Sequence, residues 1–367
     1  MRGSDAPARS SGGVADVLEK LRQILALTGQ RAAEGNLSSM RQLAEMAVLL
    51  PLRGVGPAYY HMAGLWRRDL RWSDKTCHMS VPEYRRALKR LNPEAYRKLS
   101  QNKIAEKAIL RLFDLPTPRF IGRLCRATGL DASGKRLDCA RDLEALIEEQ
   151  ALERLVFKEL EGHGGKGVHI LEVIAGDPLR LTPPGRHSPV TLDDFCHDTL
   201  GLDRGGDWLI EEYFTQHPVL ASINPTSVNT IRIWVLRHPD GESEVVTAYL
   251  RIGRAGATVD NVEGGGIVAD VDRRTGTLQS AQDADMRRRF HACHPDHGAR
   301  ILGVVLPHWM EVERIARKAL GAFPELRFAG LDIAIGPDGP VVLELNVIPG
   351  REGAGRIDGN VFRALRA

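Results

Sequence analysis

An α+β fold with a helical N-terminal region is what this sequence predicts, on three observations. Apolar positions recur at helical spacing through roughly the first 110 residues. Extended segments take over from Arg119. Tight turns at His238-Pro-Asp-Gly241 and Pro337-Asp-Gly-Pro340 then close hairpins, which argues against a regular parallel βαβ series.

Residues 14–28 set Val14, Val17, Leu18, Leu21, Ile24 and Leu25 on one helical stripe ending by Gly29. A second helix follows Asn36-Leu-Ser-Ser39 and stops at Pro51. Asn92-Pro93 reads as the N-cap and first turn of a third. The next runs over Lys103–Phe113 and closes before Pro116 and Pro118. Strands are expected over 119–124, 155–160, 168–173, 208–214, 230–237, 245–252, 266–271 and in a final hairpin. Helices intervene near 141–150, 191–200 and 307–321. The expected organisation is a flexible tail over 1–13, a helical region over 14–113, a subdomain over 114–215 and a C-terminal subdomain over 216–367.

A chain of 367 residues can bury a substantial core in about two domains. No apolar run approaches the ~18 residues of a membrane helix, and the first residues lack the apolar centre of a secretory signal. Five cysteines without CxxC spacing fit reduced thiols, so a cytoplasmic setting is expected. Residues 1–100 carry 17 Lys+Arg against 9 Asp+Glu, gathered around Arg67, Arg68, Arg71, Lys75, Arg85, Arg86, Lys89 and Arg90. Without interleaved aromatics or a known motif, a solvated helix face is the preferred reading, and neither a nucleic-acid nor a membrane partner is expected.

The most informative stretch is the final hairpin. Phe328-Ala-Gly-Leu-Asp332-Ile-Ala-Ile plants one carboxylate in an apolar strand, and Val341-Val-Leu-Glu344-Leu-Asn346 repeats the arrangement. Alternation puts Glu344 and Asn346 on one face, and the turn brings Asp332 opposite them within about one residue of register. Three hard oxygen donors then converge, as Mg²⁺ requires. A solvated hairpin face would also show alternate polar residues, but neighbouring Ile335 and Val342 are apolar.

A second stretch, Lys158-Glu-Leu-Glu-Gly162-His-Gly164-Gly165-Lys166-Gly167, follows an apolar strand and precedes another. G-x-G-x-x-G alone is weak: a dinucleotide fingerprint needs a following helix, and a Walker loop needs Gly-Lys-Ser/Thr. A glycine flap between strands, closing over phosphates with Lys158 supplying a point charge, is the functional reading; a plain hairpin with a snorkelling lysine is the alternative. Downstream, Glu211-Glu212-Tyr213-Phe214 ends a strand in acids and aromatics, either a hinge beside a base or an ordinary strand end.

In order, these pieces resemble an ATP-grasp enzyme over roughly residues 100–350, nearest the sugar-transfer-associated subgroup and similar to α-L-glutamate ligases. The series also includes Asn102-Lys103, Asn229-Thr-Ile-Arg232, Ala248-Tyr-Leu-Arg251 and Asp260-Asn261 with Gly264–Gly266. The resemblance implies two α+β subdomains gripping ATP. It implies that Lys103, Lys158 and the flap residues Gly164, Gly165, Lys166 and Gly167 contact phosphates, and that Glu211 to Phe214 hold adenine and ribose. Asp332, Glu344 and Asn346 would hold two Mg²⁺ ions, with Mn²⁺ as an alternative. Arg232 and Arg251 would face the transferred phosphoryl group or acyl intermediate, with Asn261 close by. Gln216 stands where many relatives carry a ribose-binding acid, and a Rossmann-like pre-domain is replaced by helices.

The implied chemistry is an ATP-dependent ligase joining a small-molecule or peptide carboxylate to an amine through an acyl phosphate. A small-molecule kinase on the same fold and a nucleotide-binding scaffold without turnover are the alternatives. A His291-Ala-Cys293-His294-Pro-Asp-His297 cluster matches no standard zinc spacing; acceptor recognition by an exposed loop is the better expectation there.

Overall fold

The computed structural model describes residues 14–162, 167–184, 188–260 and 265–366. The tail over 1–13, the flap residues Gly164, Gly165 and Lys166, and Asn261 lie outside the described residues. Seven helices come first: α1 (Val14–Ala33), α2 (Ser39–Arg53), α3 (Pro57–Met62), α4 (Trp72–Thr76), α5 (Val81–Leu91), α6 (Glu94–Gln101) and α7 (Lys103–Leu112). Two antiparallel sheets follow. The first has the order β2 (Leu130–Asp131), β1 (Phe120–Cys125), β7 (Asp207–Glu212), β3 (Arg154–Glu159), β4 (Val168–Ile174), β5 (Arg180–Thr182) and β6 (Val190–Thr191). The second has the order β11 (Leu278–Asp283), β10 (Ile267–Val271), β9 (Ser243–Ile252), β8 (Thr230–Arg237), β12 (Phe328–Gly336) and β13 (Gly339–Asn346). The remaining helices are α8 (Ala140–Glu149), α9 (Leu192–Asp194, running into a π turn over Phe195–Thr199), α10 (Pro218–Ile223), α11 (Trp309–Ala322), α12 (Arg351–Ile357) and α13 (Val361–Ala364).

Each sheet has its own core. Leu143, Ile147 and Phe195 pack on Leu155, Phe157 and Ile210 of the first sheet. Helix α11 buries Val312, Ala316 and Leu320 against Ile231, Ile233, Leu250 and Ile333 of the second. Strand alternation explains why the second sheet has a different opposite face. There Trp234, Leu236 and Phe328 pack against Tyr84 and Leu88 of α5 and Phe362 of α13, while Thr230 and Arg232 open into a cleft.

Several elements depart from the sequence reading. Helix α1 runs through Gly29 to Ala33, since one interior glycine costs only about 1 kcal/mol. Pro51 sits inside the last turn of α2, which ends at Gly54 with φ 60°. Asn92 caps no helix start: its Nδ2 donates to the Phe328 and Val347 carbonyls and its Oδ1 accepts from the Arg327 and Phe328 amides. That asparagine therefore fastens the N-terminal helices to β12. Lys75 lies on no solvated face, because it is buried in an ion pair with Glu45. Among the described residues no helix is long and apolar enough to cross a membrane.

Candidate active site

A cleft of about 610 Å³ is lined from both sheets. The first sheet contributes Val156, Lys158, Ile170 and Glu211; the second contributes Thr230, Arg232, Tyr249, Arg251, Asp332 and Glu344. Gly167, Glu212, Tyr213, Phe214, Lys103 and Asn346 also line it, so every described candidate residue reaches this one space.

The second-sheet wall is a single row across adjacent strands. Glu344 pairs with Asp332, Asp332 with Arg232, and Arg232 with Tyr249. Directly opposed residues on antiparallel strands share a face and touch. A bulge interrupts the hairpin between Asp332 and Ile333. It turns Leu343 and Glu344 both toward the cleft, whereas Val342, Ile335 and Leu345 face the α11 core. Neither Ile335 nor Val342 shares the face of Asp332, so their apolar character says nothing about its solvation.

Asp332 is buried and doubly paired. Arg232 donates Nε to Oδ1 at 2.5 Å and Nη2 to Oδ2 at 2.9 Å, and Arg251 Nη2 approaches Oδ2 at 2.9 Å. Burial opposes the charge on Asp332, yet Arg232 and Arg251 together hold its carboxyl below the ordinary range. Arg251 also donates to Thr230 Oγ1 at 3.0 Å and lies 3.4 Å from Asp260. Glu344 has neither a hydrogen bond nor an ion pair among the described residues, and Asn346 Oδ1 accepts from the Ile348 amide at 2.9 Å. This donor set fits a hard divalent cation: it is all oxygen, it sits on paired strands, and it includes a carboxylate with no protein partner. A carboxylate such as Asp332 has lone pairs enough to serve a guanidinium and a cation together.

The first-sheet wall is a buried chain of alternating charge. Lys158 Nζ lies 2.5 Å from Glu211 Oε2, and Lys107 lies 3.6 Å from Glu211 and 3.9 Å from Glu106. Burial works against the Lys158 charge, but Glu211 outweighs it and raises the pKa. Burial, reinforced by the Glu344 charge, lifts Glu106 to about 8 against the pull of Lys107. Lys103 donates to the carbonyls of Glu159 (2.9 Å) and Gly162 (2.8 Å), tying α7 to the stem of the flap. Gly167 has φ 73°, a conformation that glycine adopts without strain. Because the Glu211 side chain is occupied by lysines, only its backbone is free to face a base. Glu212 pairs with Arg119 at 2.7 Å, and Phe214 packs against Gly336.

Gln216, the departure from the relatives' ribose-binding acid, is buried, donating to the Asn224 and Ser227 carbonyls and accepting from Asn229. One expectation needs correction. The histidine cluster does not reach the cleft. His294 is buried, bonded to the Gly253 carbonyl and stacked on His297, while His291 pairs with Asp283. Among the described residues the only grouping of His, Cys, Asp and Glu with metal-like spacing is Asp138, Cys139 and Asp142, away from this loop. Sequence reading missed Glu106 and Lys107. Lys107 stands one helical turn after Lys103, on the same face, and that spacing was the available signal. It also missed Met62, Glu352 and Arg356, for which no local pattern exists.

Several solved structures are similar. Biotin carboxylase from Campylobacter jejuni matches with TM-score 0.45 and 12% identity, covering 75% of this chain and 48% of that one. D-alanine–D-alanine ligase from Bacillus anthracis matches with TM-score 0.38 and 15% identity, covering 73% and 66%. L-amino acid ligase from Bacillus licheniformis matches with TM-score 0.35 and 13% identity, covering 70% and 43%. The chain thus spans less than two thirds of each of these proteins. No curated protein sequence matches it. The family described as sugar-transfer associated ATP-grasp matches residues 84–355, nearly three quarters of the chain. The protein belongs to the sugar-transfer associated ATP-grasp family.

Proposed function

We propose that the protein is an ATP-dependent carboxylate–amine ligase. One observation carries this reading: a single cleft joins a lysine wall at Lys103 and Lys158 to an oxygen and arginine wall at Asp332, Glu344, Asn346, Arg232 and Arg251. Phosphoryl transfer is mostly positioning and charge neutralisation, and this lining offers both.

ATP enters with its base against the Glu211–Phe214 segment and its phosphates toward Lys103, Lys158, Gly167 and the neighbouring flap residues Gly164, Gly165 and Lys166. Asp332, Glu344 and Asn346 would hold Mg²⁺, two ions in this reading, and the bound cation would neutralise phosphate charge. A substrate carboxylate attacks the γ-phosphorus, forming an acyl phosphate and releasing ADP. An amine then attacks the acyl carbon and expels phosphate, its proton leaving to solvent. Arg232 and Arg251, held by Asp332, Thr230 and Asp260, are placed to steady the tetrahedral oxyanion. Asn261, which follows Asp260 in the sequence, is assigned a part in the same step.

The test is ADP release with a panel of carboxylates under Mg-ATP, with hydroxylamine added to trap the acyl phosphate. A hydroxamate formed in step with ADP is expected. ADP formed with a phosphorylated product and no hydroxamate makes the protein a small-molecule kinase instead.

A further inference from the structure

Beyond Arg232 the cleft continues into a far end that the ligase reading leaves without a task. Its walls come from distant parts of the chain: Met62 of α3, Tyr249 of β9, Ala284, and Gly353 with Arg356 of α12. Tyr249 is the next residue after Arg232 in the cross-strand row. Helix α12 lies close over it, since a Cβ on Gly353 would stand 2.1 Å from the Tyr249 hydroxyl.

Arg356 is only 3% exposed. Its Nη2 donates to the Ala284 carbonyl, while Nε and Nη1 have no partner. It forms no ion pair among the described residues. The carboxylate on its own helix, Glu352, is paired with Arg351 at 3.2 Å. Its neighbour Arg288 adds positive charge, donating to the Met62 and Arg356 carbonyls. Burial, together with Arg356, Arg67 and Arg31, lowers Arg288 to about 9. A buried guanidinium with two idle donors is unfavourable unless an anion arrives.

We infer that Arg356 anchors a carboxylate of an organic substrate, one distinct from the carboxylate that is activated. Its planar fork suits a carboxylate in two parallel bonds. The nucleotide phosphates belong to the opposite end, at Lys103 and Lys158, and leave this group unpaired. That the anion is a substrate rests on the ligase reading; that an anion binds here rests on the geometry. Two sources offer the same chemistry: a dicarboxylic acid that keeps one carboxylate back, or an amino acid whose amine is the nucleophile.

The experiment measures thermal stabilisation of the full chain by glutarate, L-alanine and inorganic phosphate, each with Mg²⁺ and a non-hydrolysable ATP analogue. Glutarate stabilising the wild type identifies the dicarboxylic acid, and alanine identifies the amino acid. In Arg356→Gln the same shift should need about 10- to 100-fold more of the probe. Arg356→Lys keeps the charge without the fork and should fall between the two. The nucleotide-induced shift in each variant checks that it is folded. Stabilisation by neither carboxylate, by phosphate alone, or equally in wild type and Arg356→Gln overturns the inference. A carboxylate probe that binds through Arg356 while no acid supports ADP release overturns the ligase reading and leaves the site standing.

Discussion

Two buried lysine–glutamate pairs in this molecule share their chemistry and differ in everything around it. Lys75 and Glu45 lie 2.6 Å apart among the N-terminal helices, their side chains 3% and 5% exposed. Tyr60 donates to Glu45 Oε2 at 2.8 Å and Arg41 to Oε1 at 3.0 Å, so the carboxylate is fully engaged. Lys158 and Glu211 lie 2.5 Å apart, but they border the cleft, and Glu211 Oε1 has only Lys107 at 3.6 Å, beyond hydrogen-bond reach. Burial of an ion pair is therefore no mark of function by itself. The mark is an incompletely satisfied pair beside open space that other charged groups share.

The largest expected effect lies at the cleft residue with no partner. Glu344→Gln should lower ADP formation by at least ~10²-fold while changing the melting temperature little, because no hydrogen bond or ion pair is lost. Asp332→Asn should abolish ADP formation as well, but also lower stability, since Arg232 and Arg251 lose their buried counter-charge. Full ADP formation in Glu344→Gln would make the hairpin structural and erase the contrast drawn above.

The two lysines test that contrast directly. Lys75→Met leaves the buried Glu45 only the solvent-exposed Arg41 as counter-charge and should cost about 3–5 kcal/mol in urea unfolding, with activity per folded molecule retained. Lys158→Met should lose ADP formation but cost less stability, because Lys107 remains 3.6 Å from Glu211. Equal stability losses, or an active Lys158→Met, would mean that the cleft pair is as purely structural as the other.

Acid sharpens the comparison from the helical side. Burial, reinforced by Arg31, lowers His61 to about 4, and burial with Arg351 and Arg366 does the same to His78. A depressed folded-state value means that stability is full above the ordinary 6.5 and is lost as pH falls through about 4. Each histidine should then remove about 3 kcal/mol across that window. Urea midpoints at pH 7 and pH 5 should separate for the wild type and draw together in His61→Gln/His78→Gln. A wild-type midpoint that does not move between those pH values would show that neither ring charges on unfolding.

How far the sequence could be read follows from the range of the interactions involved. Asp332 opposite Glu344 was legible because a hairpin is local, and the Lys158 strand because the apolar run Leu155-Val-Phe157 leads into it. The bulge at Asp332 was not, since it turns Leu343 and Glu344 together and no local pattern announces it. Nor was the pairing of Asp332 with Arg232 and Arg251, which depends on β12 lying beside β8, and β8 beside β9, far apart in the chain. Helices α3, α4 and α5 went unread because tertiary burial holds them: Tyr84, for example, donates to the Pro349 carbonyl and stacks with Trp234. Gln216 marks a departure that the sequence did show, and the fold uses its side chain to close a loop.

The smallest expected effect concerns the histidine cluster, which by sequence resembled a functional site more than Arg356 does. His297 is exposed and stacks on His294, 3.9 Å between ring centroids. His294 in turn serves the Gly253 carbonyl, and Asp296 is held by Arg254 and the Ala255 amide. His297→Ala should therefore change stability by no more than ~0.5 kcal/mol and leave ADP formation as it was. Zinc added to the wild type should produce no melting shift that the variant lacks. A zinc-dependent shift lost in His297→Ala would mean that imidazole density, and not proximity to the cleft, was the better guide to a site in this chain.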